Sequence, residues 1–113
     1  MKELIDKESS IKLIGSRVIS ARYKAELTGI EAANKLKIQK SAMSHIETGK
    51  NYPNLQNFIK MCILFKVSPM YLLGFTDVYT PLIEQELDNL SRKLKSKIKK
   101  STGAKMGADD NKS

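Results

Sequence analysis

The chain has 113 residues, a formal net charge of +8 and 41% hydrophobic residues, enough apolar material for one small core with an appendage. The positive balance suits a polyanionic partner. A membrane span is excluded because no run of about 18 apolar residues occurs, and a structural zinc site is excluded because one Cys and one His are too few ligands. Residues Met1–Glu8 mix acids with lysines and lack an apolar h-region, so they do not read as a signal peptide. A lone cysteine, Cys62, fits a reducing cytoplasm.

Residues 1–9 are charged and weakly patterned and read as a loose arm or a frayed helical turn. From about Ser10 to Ala25 the pattern is helical: Ile14, Val18, Ala21 and Ala25 form a stripe that Ile11 extends, with Ser9 or Ser10 as cap. Glu26-Leu27 connects to a second helix at Thr28, where Glu31 completes a Thr-x-x-Glu capping box. Ile30, Ala33 and Leu36 fall on one face of it, and a tight turn follows at Lys37. The third helix carries apolar Met43 and Ile46, with Ile38 just before it. Its other positions, Gln39, Lys40, Ser41, Ala42, Ser44 and His45, form a face suited to hydrogen bonding.

Gly49 stands where a helix C-terminus favours a left-handed residue, and Pro53 stops any continuation. Asn54 caps a fourth helix reaching about Phe65, with Leu55, Phe58, Ile59, Cys62, Leu64 and Phe65 apolar. Ser68-Pro69 opens a short fifth helix that stops at Gly74. Met43, Met61 and Met70 sit at core spacing, and Tyr52, Tyr71 and Tyr79 are too scattered for a base-stacking platform. Thr80-Pro81 repeats the cap-plus-Pro signal and opens a last helix to about Lys100. Its acids come early and its lysines late, in line with the helix dipole. Ile83, Leu87, Leu90 and Leu94 form a four-three-four seam suited to dimerisation or partner docking. The lysine run over 92–100 reads as a solvated face, and the small, polar residues 101–113 as a disordered tail.

Residues 14–77 resemble the helix-turn-helix domain of the phage Cro and CI repressor type, the XRE family of transcriptional regulators. The resemblance rests on Ile14-Gly15, Arg17-Val18, Arg22, Leu27-Thr28, Ala33, Leu36, Ile38, Ser41, Met43-Ser44 and Ile46-Glu47. It continues through Gly49-Lys50, Pro53, Leu55, Val67-Ser68 and Tyr71–Gly74. The implied fold is all-α, a five-helix lambda repressor-like domain over 10–77 with an added C-terminal helix over 80–100. The third helix would lie in the DNA major groove.

The resemblance also implies roles. Lys40, Ser41, Ala42, Ser44 and His45 occupy base-reading positions. Arg17, Gly29, Gln39, Lys50, Asn51 and Tyr52 stand where similar domains touch phosphates. Arg22 and Glu47 match an internal salt bridge between the first and third helices. The chain departs from its relatives at Gly29, where Gln is usual, at Lys37 and Lys66, where Gly is usual, and at Gln39, which replaces a Ser or Thr cap. The expected function is sequence-specific double-stranded DNA binding by a cytoplasmic repressor, acting as a homodimer on a palindromic operator. The alternative is an antitoxin or other interaction module whose C-terminal helix binds a partner protein. No cofactor is expected, and without a nucleophile-base pair, a phosphate loop or clustered carboxylates the chain does not read as an enzyme.

Overall fold

The computed structural model describes residues 6–103; the expected arm and tail fall partly outside it, at 1–5 and 104–113. Six helices make up the described chain: α1 (Lys7–Lys24), α2 (Gly29–Leu36), α3 (Lys40–Glu47), α4 (Leu55–Phe65), α5 (Pro69–Leu73) and α6 (Glu84–Gly103). No strand occurs among the described residues beyond one isolated bridge, so the all-α class holds. The chain divides into two compact units, one reaching Leu82 and one from Ile83 onward.

In the first unit α1 begins earlier than its sequence suggests. Asp6 stands at the N-cap, and the Ser9 hydroxyl donates to its carboxylate at 2.6 Å, so Ser9 and Ser10 lie within the helix instead of capping it. Ile11, Ile14, Val18 and Ala21 are buried along one stripe, each larger side chain being worth about 1.5–3 kcal/mol of hydrophobic stabilisation. In α2 the capping box forms: Glu31 N–H donates to Thr28 Oγ1 at 3.1 Å, and Thr28 N–H to Glu31 Oε1 at 2.9 Å. The face it buries is Ala32, Ala33 and Leu36, whereas Ile30, expected in that stripe, is 52% exposed. Ile30 lies at the outer edge of the first turn, and two adjacent alanines supply the flat surface on which α2 meets its neighbours. In α3 only Met43 and Ile46 are buried.

Three of the turns are made by charged residues. Lys37 and Lys66 end α2 and α4 in the left-handed region, and Glu26, after α1, joins them at φ 60°. Only the two lysines are foreshadowed by the glycines usual in related domains. Lys60 Nζ donates to Leu36 O at 2.6 Å, placing a cation on the carbonyl end of α2. Asn54 and Ser68 cap α4 and α5 as their sequence predicts. Leu55 is 73% exposed, however, and Met70 is 52% exposed. The five-residue α5 turns Tyr71 and Leu72 inward and leaves Met70 outside.

The Thr80-Pro81 signal is used differently from its sequence reading. Pro81 bridges to Val67, Ser68 N–H donates to Thr80 O at 2.8 Å, and Leu82 N–H donates to Lys66 O at 3.1 Å. These two residues therefore end a strap over 75–82 that pairs with the α4–α5 connection. The sixth helix starts three residues later than the cap would place it and runs to Gly103, past the expected end.

Two features hold α3 against α1. Arg22 Nε donates to Glu47 Oε2 at 2.7 Å and Nη2 to Oε1 at 3.1 Å, while Nη1 donates to Leu27 O at 3.0 Å. Both side chains are nearly covered, at 10% and 12% exposure, and the hydrogen bond to Glu47 raises the Arg22 pKa further. The second feature is Gly15: a Cβ there would come within 2.6 Å of Ile46 O and 2.8 Å of Glu47 O. The end of α3 thus rests directly on the α1 backbone.

Three outcomes follow for purified protein. Glu47→Ala leaves the Arg22 guanidinium covered without its carboxylate, so thermal denaturation should show a loss of about 3 kcal/mol. Gly15→Ala must push α3 away from α1 and should cost about 2–3 kcal/mol in denaturant titrations, from overpacking against backbone. Cys62 is buried, and desolvation pushes its thiol up from 9.0 to about 11. Because the folded value is raised, the stability gained by keeping the thiol neutral is complete below 9 and lost as pH rises towards 11. The melting temperature should therefore fall more steeply across that window in the wild type than in Cys62→Ala.

Candidate nucleic-acid interface

The two buried side chains of α3 turn the rest of the helix outward. Lys40, Ser41, Ser44 and His45 are exposed, and Ala42 is half-buried between them. Lys40, His45 and Lys50 make no ion pair among the described residues. An eight-residue helix that buries two side chains and presents four polar ones has hydrogen-bonding capacity that the fold does not use.

The N-terminus of α3 is not closed by a side chain: Gln39 occupies the cap position without a capping bond, and Ser41 Oγ approaches its Oε1 only at 3.5 Å. The early N–H groups there remain available to an acceptor from outside. At the start of α2, Gly29 has no atom within 4 Å of where a Cβ would stand. Thr28, Gly29 and Ile30 line a cleft with Lys40 and Ser44, so the first turn of α2 and the outer face of α3 share one surface.

On the other flank the loop after α3 is tied down by its own backbone. Lys50 N–H and Asn51 N–H both donate to His45 O, at 2.8 and 3.2 Å, and Gly49 takes the left-handed conformation at φ 80°. This curls Lys50, Asn51 and Tyr52 back alongside Ala42, with all three side chains exposed. The Lys50 and Asn51 backbone donors are thus consumed, so an anion contact from these two residues must come from their side chains. Lys7 and Asn57 line the same polar groove. Neither stands out in the sequence. Lys7 enters because α1 starts three residues before its apolar stripe suggests and passes close to α3; Asn57 enters because the Asn54 cap fixes which face of α4 it occupies.

Arg17 must be corrected. The sequence offers it as a phosphate ligand, but Nη1 donates to Tyr71 O at 2.8 Å and to Thr76 O at 2.7 Å, and Nη2 donates to Asp77 Oδ1 at 3.0 Å. Its guanidinium carbon lies 4.3 Å from the Tyr71 ring centre, and its side chain is 11% exposed. Arg17 fastens the end of α5 and the strap; it is not placed to meet DNA. The remaining expected phosphate residues, Gly29, Gln39, Lys50, Asn51 and Tyr52, lie beside α3 on its two flanks.

Among the described residues, no group of three or more His, Cys, Asp or Glu is arranged to hold a metal ion, and no helix is long and apolar enough to cross a membrane. Ile83, just before α6, and Leu94 within it, two of the four seam positions, are 59% and 40% exposed.

No family model matches the chain. It is similar to the HTH-type transcriptional regulator ImmR of Bacillus subtilis (strain 168), with 34% identity over 86 residues, covering 73% of this chain and 68% of the relative. That length of similarity takes in more than the two-helix motif alone, and it agrees with an outward polar helix carried on four others. The chain belongs to the family of HTH-type transcriptional regulators, and a DNA-binding helix-turn-helix is what its second and third helices form.

Proposed function

We propose that the chain is a sequence-specific repressor of the Cro and CI type that acts in the cytoplasm and binds a palindromic double-stranded DNA operator as a homodimer. The observation that carries this reading is the outer face of α3, where Lys40, Ser41, Ser44 and His45 are exposed above a floor of buried Met43 and Ile46. Lys40 suits guanine O6 or N7, Ser41, Ser44 and His45 suit other base-edge groups, and Ala42 suits a thymine methyl. Lys50, Asn51 and Tyr52 contact the backbone on one flank, and the Gly29 and Gln39 helix starts do so on the other. One recognition helix reads only a few base pairs, so two copies on a two-fold site supply the missing specificity. The α6 stripe of Ile83, Leu87, Leu90 and Leu94 is the element to which we assign dimerisation. A second exposed apolar face, with Leu55 and Leu73 beside Tyr52 and Phe58, borders α4 and α5 and is its competitor.

Selection of bound sequences from random duplex DNA tests the reading. A two-fold symmetric motif is expected, and recovery of no enriched motif refutes it. Lys40→Ala and His45→Ala should relax preference at particular positions, each losing about 1–3 kcal/mol of discrimination. Lys50→Ala should instead weaken all sequences alike and reduce the slope of log affinity against log salt by about 1.

A further inference from the structure

We propose that α6 pairs with α6 of a second copy of this chain in the antiparallel direction. The proposal rests on the homodimer reading and adds the orientation of the pair, which the charge pattern specifies.

The apolar seam is Ile83, Leu87, Leu90 and Leu94, spaced alternately by four and three, so these residues occupy the a and d positions of a heptad. Run antiparallel, the seam is self-complementary: Ile83 packs on Leu94 of the second copy and Leu87 on its Leu90. The residues flanking the seam decide direction. Glu86 and Lys93 each precede an a position and are therefore both g residues, and both are exposed. In an antiparallel pair g faces g, which puts Glu86 opposite Lys93 of the second copy twice over. In a parallel pair g faces the e position five residues on. Glu86 would then meet Ser91, with no ion pair formed. The wider pattern points the same way. Asp88 and Glu86 lie in the first half of the helix and Arg92, Lys93 and Lys95 in the second, so a parallel pair sets like charges together and an antiparallel pair sets opposite ones together.

The seam covers about 16 Å at 1.5 Å per residue, roughly two heptads, so the pair forms reversibly and its dissociation constant is measurable. Sedimentation equilibrium of the full chain at low salt, without DNA, is the first test. The wild type should dimerise; Glu86→Lys or Lys93→Glu alone should weaken the dimer about tenfold, and Glu86→Lys with Lys93→Glu together should restore it. A dimer indifferent to the single reversals, or not rescued by the double one, overturns the antiparallel assignment. Disulfide trapping gives an independent readout. Ile83→Cys mixed with Leu94→Cys should cross-link under mild oxidation, while each alone should resemble the wild type, whose Cys62 is buried. Efficient cross-linking of Ile83→Cys with itself would establish the parallel pair and overturn the proposal, leaving the homodimer intact. A wild type that stays monomeric at millimolar concentration overturns both the orientation and the homodimer reading, while DNA recognition by α3 is judged separately by the sequence selection.

Discussion

The close contact of α1 with the end of α3 is the constraint on which the rest depends. A helix that must present its polar side chains outward contributes little to a core, and α3 buries only Met43 and Ile46. Those two side chains could hold an eight-residue helix in place but would allow it to rock. The bidentate Arg22–Glu47 pair and the absent side chain at Gly15 remove that freedom. One sets the azimuth through a planar fork; the other lets two backbones touch. The ion pair is costly to break rather than strongly stabilising to possess, since apolar residues could fill the same space at least as well. Its value lies in fixing where the exposed polar face of α3 points.

The net charge of +8 therefore does not measure what is offered to DNA. Arg22 is consumed by Glu47 and Leu27 O, Arg17 by the carbonyls of Tyr71 and Thr76, and Lys60 by the carbonyl end of α2. Lys24 sits 4.6 Å from the Tyr79 ring centre, within an edge-to-face pair of Tyr79 with Tyr71. These cations hold helix ends and the strap together. Lys7, Lys40 and Lys50 line the grooves beside α3 instead, where their charges are not taken up by the fold.

Local signals held at several helix ends, though not at Ser9-Ser10 or at Thr80-Pro81. The Thr28–Glu31 box, the Asn54 and Ser68 caps, the left-handed Gly49 and the helix stop at Gly74 are all complete within a single turn of chain, and all appear as the sequence predicts. Thr80-Pro81 carries an equally good local signal for a helix start. It was overridden because Lys66 O and Ser68 N–H, made available by the αL turn at Lys66, offered those residues a bridge instead. Glu26 in the left-handed region could not be foreseen, because nothing in its residue type favours that conformation.

By itself the sequence determined the number and order of the helices and the exposed polar face of α3 and, through its resemblance to a regulator family, the expectation that Arg22 pairs with Glu47. Each rests on periodicity, on short-range capping or on a motif of fixed spacing, and such information is stored along the chain. Tertiary structure alone decided that Arg17 belongs to the strap, that Lys7 and Asn57 join the flank of α3, and that Ile30 and Met70 stay outside while Ala32 goes in. These outcomes depend on contacts between residues tens of positions apart, such as the 54 that separate Arg17 from Tyr71. A cation looks the same in sequence whether it will meet a carbonyl, a carboxylate or solvent, and only the packing of the helices settles which acceptor comes within reach.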